Sequence, residues 1–431
     1  MVEARKLNES IGQAVGERTY LRPVLIEKRN IPNPSYLNPN DPNQQRWFQI
    51  LTNSGYDVLY SDSDPVIRAP LLGEDYKYEE WSDLSDRVIQ GNIALVPGTS
   101  GRVANRMLKQ SIMVPGGRHL QHGDATQPSR SQTVFTNCAT AASAWARYYL
   151  LLNGSGVGRS LDDDLLLVDW DKAPNIQCVI DEKHPDFQWG GLFLSKQEAE
   201  HRFGHGERAI WHVVDDSREG WAKALETWEM MAWEGRWREH LLILDFSQVR
   251  PAGAPIRGMQ GRPSSGPIPT MAAFHKAAAG IGGGLPRWLS TLYVEHYFSE
   301  SVLVGGARRA SGILTKNWRD SGILDFIAIK MPGCYRGLSA EEISAYRKEN
   351  GQPMSTPLWT SNHSVAVDAE FWWLNGLKRG QEGYKSGIAR KARNVFKAVT
   401  ETAYATGTGE PGFVNVDKLN VKRPTIEEML A

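Results

Sequence analysis

Three windows of the chain place apolar residues at helical spacing. Over residues 81–95, Trp81, Leu84, Val88 and Ile89 recur at a period near 3.6, which predicts a short amphipathic helix closing near Gly91. Residues 140–152 are dense in helix formers and aromatic bulk and halt at Asn153-Gly154, so a buried helix running into a glycine loop is expected. Asp216-Ser-Arg-Glu219 reads as a capping box, and Trp221, Ala224, Leu225, Trp228 and Ala232 then share one face as far as Gly235. Between such windows lie short apolar runs bounded by turn residues, at 241–246, 323–329 and 364–368, whose length suits buried strands. Helices alternating with buried strands predict the α/β class.

Two stretches break the pattern. Residues 1 to about 45 are polar and rich in Pro and Asn, which prevents long helices and predicts an irregular arm. Residues 257–267 hold so much Gly, Pro and Ser that no regular element is expected there, only a functional loop or an irregular surface crossing. The expected division is an arm and helical region over 1–110 and an α/β unit over 111–431.

Composition narrows the function classes. A chain of 431 residues, 41% hydrophobic and 23% charged, can bury a sizeable core. Lys+Arg and Asp+Glu are equal at 49 each, which argues against a dedicated nucleic-acid or membrane surface, so no direct DNA binding and only small polyanions are expected. Three cysteines with no Cys-x-x-Cys pair offer neither a disulfide scaffold nor a zinc site and suit a reducing cytoplasm. No window approaches the roughly 18 continuous apolar residues of a spanning helix, and the start lacks an apolar signal core, so a cytoplasmic location is expected.

The candidate chemistry sits in four ordered pieces. The first is Pro115-Gly-Gly-Arg118, then Thr136-Asn-Cys138 and, after a helix, Gly154-Ser-Gly-Val-Gly158. The second runs from Ser217-Arg-Glu-Gly-Trp221 to Leu242-Ile-Leu-Asp-Phe and on to Gly261 and Ser265-Gly-Pro267. Gly305-Gly-Ala-Arg-Arg309 is the third, and Trp359-Thr-Ser-Asn-His-Ser-Val-Ala-Val-Asp368 with Gly409-Glu-Pro-Gly-Phe-Val-Asn-Val-Asp417 the fourth. In this order the pieces resemble the adenosylcobalamin-dependent, class II ribonucleotide reductases, more closely the monomeric triphosphate-reducing and phage-type members, and specifically their amino-terminal portion. The glycine-rich and Ser-Asn-His-Ser pieces read more like these than like oxygen-dependent relatives.

That resemblance implies a fold, a reaction and a set of roles. The fold is the first half of a ten-stranded α/β barrel, preceded by a mainly helical region. The reaction is reduction of a ribonucleoside di- or triphosphate to its deoxy form by thiyl-radical chemistry, with adenosylcobalamin as cofactor, a dithiol such as thioredoxin as reductant and a deoxynucleoside triphosphate as effector. Cys138 would be one of the two reducing thiols; the alternative is a small buried hydrophobe. Thr136, Asn137, Gly154, Ser155, Gly156 and Gly158 would line the substrate pocket, since glycine lets backbone approach a ligand; for the glycines the alternative is a helix end and a turn. Gly305, Gly306, Arg308, Arg309 and Ser311 would form the loop between effector and substrate, where a planar guanidinium can stack on a base.

The resemblance also implies a missing part. In the family the Gly-Glu-Pro-Gly segment is followed by an Asn-Pro-Cys-Gly-Glu finger loop carrying the thiyl cysteine and the catalytic glutamate, whereas only about 20 residues follow Gly412 here and none is Cys. A split subunit or a fragment completed by a carboxy-terminal half is therefore expected. Cys178 and Cys334 read as structural, and Asp162-Asp-Asp164 as a solvated helix start rather than a metal site. The rivals are a noncatalytic nucleotide-binding or regulatory subunit, and a self-sufficient reductase using all three cysteines.

Overall fold

The structure, a computed structural model, describes residues 76–417 except 97, 99, 131, 189, 192, 257–261, 282–283, 303–310, 332–357, 359 and 407–408, together with 23–25, 58–60 and 65–67. Four short strands come first: β1 (Pro23–Leu25), β2 (Val58–Tyr60), β3 (Pro65–Ile67) and β4 (Tyr76–Tyr78). They pair antiparallel as β1 with β4 and β2 with β3. Helix α1 (Trp81–Leu95) follows, with Leu84, Val88 and Ile89 on its buried face. It continues past Gly91, where a stop was expected. That glycine is a packing contact: a Cβ there would lie 2.6 Å from the Asp124 carbonyl oxygen. Helices α2 (Gly101–Lys109) and α3 (Gly117–His122) complete this region.

Cys138–Thr140 is a strand, β5, and helix α4 spans Ala144–Leu152, so the predicted helix starts four residues late. The physical reason is a tertiary cap. Glu229 accepts the backbone N–H groups of Ala144 and Trp145, each at 2.9 Å, and fixes where the turns begin. Strand β6 (Gly156–Ser160) is followed by β7 (Asn175–Ile180), β8 (Leu194–Ser195), α5 (Lys196–Phe203) and β9 (Ala209–Val213). Helix α6 (Arg218–Glu234) is capped by Ser217, whose Oγ accepts from the Gly220 N–H at 2.8 Å, and it ends at Gly235 with φ +71°. The cap is thus one residue later than the Asp216 predicted, because Asp216 is held by Arg250.

Strand β10 (Leu241–Asp245) fulfils its prediction. At the start of the stretch 257–267, expected to hold no regular element, β12 (Arg262–Pro263) pairs antiparallel with β11 (Pro255–Ile256), which lies just before it, and the intervening residues are outside those described. Helices α7 (Ile268–Gly280) and α8 (Arg287–Ser301) lead to β13 (Ser311–Asn317). The run at 323–329, expected as a strand, contains instead helix α9 (Ile323–Ala328). Its buried residues are Ile323, Phe326 and Ile327, a spacing of three and four rather than two, and Gly322 at φ +68° starts it. Strand β14 (Asn362–Val367), helices α10 (Ala369–Gly376) and α11 (Gly387–Thr406), and β15 (Gly412–Asn415) complete the order.

Two all-parallel sheets organise these elements. The larger has the order β15-β14-β13-β6-β5 and the smaller β8-β7-β10-β9. The chain leaves the larger sheet after β6, builds the smaller one, and returns at β13. The core beside the smaller sheet is aromatic: Trp228 contacts Trp170 and Phe274, and Phe274 meets Phe298 nearly edge-on. A second core packs Leu314, Val365 and Val367 of the larger sheet against α9, α10 and α11. Among the described residues no helix is long and apolar enough to cross a membrane.

The larger sheet has unequal faces. Val157, Arg159, Gly312, Leu314, Lys316, His363 and Val365 alternate on the helix-covered face and are all buried. Cys138, Thr140, Gly156, Gly158, Ser311, Ile313, Asn362 and Ser364 lie on the other face and are exposed or half-buried. Apart from Ile313 these side chains are small or polar, and a face left this open among the described residues is unusual for a parallel sheet, which normally has both faces covered.

Candidate active site

The open face brings together three motifs far apart in sequence. In register, Cys138 of β5 lies beside Gly156 of β6, and Gly156 beside Ser311 of β13. Neighbouring parallel strands lie about 4.8 Å apart, so this row presents one exposed thiol, one bare backbone position and one exposed hydroxyl in sequence. The strand junction is tied by Gly156 N–H donating to the Asn137 carbonyl at 2.7 Å. Gly158 lies beside Thr140 and Ile313 one step further in. Asn137 is exposed and Thr136 half-buried at the entrance to β5.

Gly154 and Ser155 stand apart from this row. Gly154 adopts φ +75° at the exit of α4, and a Cβ there would collide with the buried Arg118 guanidinium. Ser155 is buried, its hydroxyl donating to the Thr136 carbonyl at 2.6 Å. Both therefore turn the chain into β6. Replacing Gly154 by Ala is expected to lower the free energy of unfolding by about 2 kcal/mol, because an L side chain is strained at that φ. Urea unfolding of the variant checks this, and an unchanged midpoint would contradict it. Gly305, Gly306, Arg308, Arg309 and Cys334 lie outside the described residues.

Cys178 is buried in the aromatic core with its Sγ 3.8 Å from the Met271 carbonyl, and burial pushes its thiol well above the usual range. It is a packed hydrophobe with negligible thiolate at neutral pH. The triplet at 162–164 is not a helix start: Asp162 accepts from the Asn317 N–H at 2.7 Å, and Asp163 accepts from the buried Lys316 ammonium at 2.6 Å. Among the described residues no group of three His, Cys, Asp or Glu side chains could hold a metal ion.

Two buried polar clusters beneath the sheet escaped the sequence reading. In the first, Arg147 of α4 and Arg159 of β6 share the Glu295 carboxylate of α8, with Glu229 3.9 Å from Arg159. The only trace in the sequence is charge inside apolar windows, as at Arg147 in Trp145-Ala-Arg-Tyr-Tyr149. In the second, Lys330 donates to the Ser361 carbonyl and to Glu410 Oε2 at 2.5 Å, joining β14 to the approach to β15. His363 stacks on Phe326 with ring centroids 4.9 Å apart, and His296 Nδ1 sits 2.8 Å from Thr360 Oγ1.

Burial, with Lys330 nearby, holds His363 far below the ordinary histidine range and His296 at about 4. Both are neutral in the folded chain at pH 7. The unfolded chain protonates them below about pH 6.5 while the folded chain does not, so their contribution is complete above that pH and is lost as pH falls. Stability is expected to fall by about 1.4 kcal/mol per pH unit for each histidine between pH 6.5 and 4. Urea unfolding at stepped pH reads the slope, and His363→Gln should flatten it by one histidine's share; an identical slope in the variant would refute the assignment.

The family model described as the insertion domain of B12-dependent ribonucleotide reductase matches residues 175–278, the segment that carries the smaller sheet. A protein of Mycobacterium phage D29, provisionally named an adenosylcobalamin-dependent ribonucleoside-triphosphate reductase, is 26% identical over 383 residues, covering 80% of this chain and 49% of that protein. The adenosylcobalamin-dependent ribonucleoside-triphosphate reductase of Lactobacillus leichmannii is 25% identical over 395 residues, covering 80% and 46%. The crystal structure of a B12-dependent class II ribonucleotide reductase superposes with a TM-score of 0.53 at 20% identity, over 86% of this chain and 49% of that one. The chain thus spans about half the length of the relatives it matches. In sequence over four-fifths of its length, and in the fold of its parallel sheets, this chain resembles the adenosylcobalamin-dependent, class II ribonucleotide reductases.

Proposed function

We propose that the chain is the amino-terminal half of a class II ribonucleotide reductase, and that its open sheet face is half of the chamber in which a ribonucleotide loses its 2′-hydroxyl. The observation that carries this is the in-register row of Cys138, Gly156 and Ser311 on the uncovered face. Removing the 2′-hydroxyl as water and replacing it with hydrogen takes two electrons, which two thiols supply by closing a disulfide. Cys138 is the one exposed thiol among the described residues, and a carboxy-terminal half would supply the second.

Bare backbone at Gly156 and Gly158 lets a ribose lie close to the strands, with Asn137 and Ser311 able to hydrogen-bond it from either side. The described residues fit adenosylcobalamin in one respect: Gly156, Gly158 and Ser311 leave part of the open face without bulky side chains, beside the half-exposed Ile313. Gly156, Gly158 and Ser311 are the residues of this chain that would accommodate the cofactor. When bound it supplies the organic radical that starts the chemistry. Loop residues Gly305, Gly306, Arg308 and Arg309 run into Ser311 and would carry effector information to the same row.

Among the described residues β5 and β15 have no outer neighbour, and such edges with an open parallel face favour a covering partner, whether the remainder of a longer chain or a second polypeptide. The test is deoxynucleotide formation from all four ribonucleoside triphosphates with adenosylcobalamin and a dithiol. The chain is assayed alone and then with a carboxy-terminal half containing Asn-Pro-Cys-Gly-Glu. Turnover only in the mixture supports the proposal. Turnover by the chain alone would move Cys334 into the site, and nucleotide binding without turnover in every mixture would favour a regulatory subunit.

A further inference from the structure

The buried charges beneath the open face have no part in the reaction as proposed, yet they sit directly under its central row. Arg147, Glu295, Arg159 and Glu229 are each no more than 5% exposed. Arg147 Nη1 donates to Glu295 Oε2 at 2.7 Å and to Ser299 Oγ at 2.7 Å, while Arg159 Nη1 donates to the other Glu295 oxygen. The guanidinium of Arg147 also packs against β13, where a Cβ on Gly312 would collide with its Nη2. Gly312 is the neighbour of Ser311, and Arg159 the neighbour of Gly158. The cluster thus joins α8, which leads into the connection ending at Ser311, to the two strands that carry Ser311 and Gly156.

Stability alone does not explain four buried charges. Apolar residues of similar volume generally hold such a position as well or better, since the attraction between buried ions barely repays their desolvation. What a shared carboxylate and two planar forks provide is direction: each guanidinium donates along fixed axes, so the relative position of its carrier elements is fixed as well. Arg147 further keeps Nε and Nη2 without a hydrogen-bond partner among the described residues, a cost that only a constrained position explains.

We propose that Arg147, Glu295 and Arg159 are positioning residues, which set the Cys138-Gly156-Ser311 row for nucleotide recognition from the far side of the sheet. This rests on the open face being the nucleotide surface. The cluster touches no ligand; it acts by holding β6 and β13 in fixed register with the end of α8.

The test uses the full chain and the double variant Arg147→Met with Glu295→Gln. It removes one charge of each sign and leaves Arg159 beside Glu229, so the chain is expected to fold. Hydrogen exchange is followed in peptides covering 156–160 and 311–317, with 241–245 and 362–367 as references, and affinity is measured for each of the four ribonucleoside triphosphates. Protection is expected to drop about tenfold in the first pair of peptides and hold in the references. The spread of affinities among the four bases is expected to narrow by at least about threefold. Equal loss of protection in all four strands would reduce the cluster to a structural role and overturn the proposal, as would local loss with base discrimination intact. If the unaltered chain, with and without its second half, binds no ribonucleotide, the reading of the open face fails first and takes the proposal with it. Should the double variant not fold, Arg147→Lys keeps the charge and loses the fork, and must give the same pattern.

Discussion

Cys138→Ser is expected to lower deoxynucleotide formation by the reconstituted pair about a thousandfold or more, because a hydroxyl cannot share in a disulfide and so cannot supply the two electrons. Substrate affinity should barely change, since serine keeps the size of the residue and the strand register with Gly156. Cys178→Ser is the control. That thiol is buried in the aromatic core with its ionisation suppressed, so its replacement should cost some stability and little activity. Steady-state turnover of both variants with a dithiol in excess separates the roles. Comparable losses in the two would bring Cys178 into the chemistry and undo the assignment of Cys138.

Glu295→Ala carries the largest expected effect on stability, a loss of about 3–5 kcal/mol, because it strands Arg147 and Arg159 with only the more distant Glu229 to balance them. Stranding is the cause, rather than any large net worth of the ion pairs. Removing Arg147 in the same chain should therefore restore part of the loss, and that recovery distinguishes the cluster from a simple cavity, where a second truncation adds to the first. Urea unfolding of the two single variants and the double variant measures it. Additive losses would show that the charges act independently. Glu229 tempers the effect, since burial raises its own carboxyl above the usual range while Arg159 and two backbone N–H groups oppose that rise.

Local signals in the sequence were read correctly where a segment contains its own cause. Helix α6 starts at a side-chain cap and ends at a left-handed glycine, both within its own sequence, and the prediction misses its cap by one residue only. Strands β10 and β14 are short apolar runs with turn residues at both ends, and they form as expected. The run at 323–329 became helix α9 because an apolar stretch of seven has no unambiguous period, and the turn at Gly322 aligned Ile323, Phe326 and Ile327 on one buried face. Helix α4 begins late because its cap, Glu229, arrives from 85 residues away.

The sequence by itself determined that the chain is α/β and that an ordered set of motifs resembles the class II reductases. It could single out Cys138 and the glycines at 156 and 158, since motif residues keep their chemical character wherever they fold. Tertiary structure alone decided that Cys138, Gly156 and Ser311 share one row, that Gly154 and Ser155 stand apart from it, and that among the described residues one face of the sheet stays open. It also decided which charges are buried. Register, facing and burial depend on contacts between residues more than a hundred positions apart, such as Arg147 and Glu295, and no local pattern along the chain encodes such a pairing.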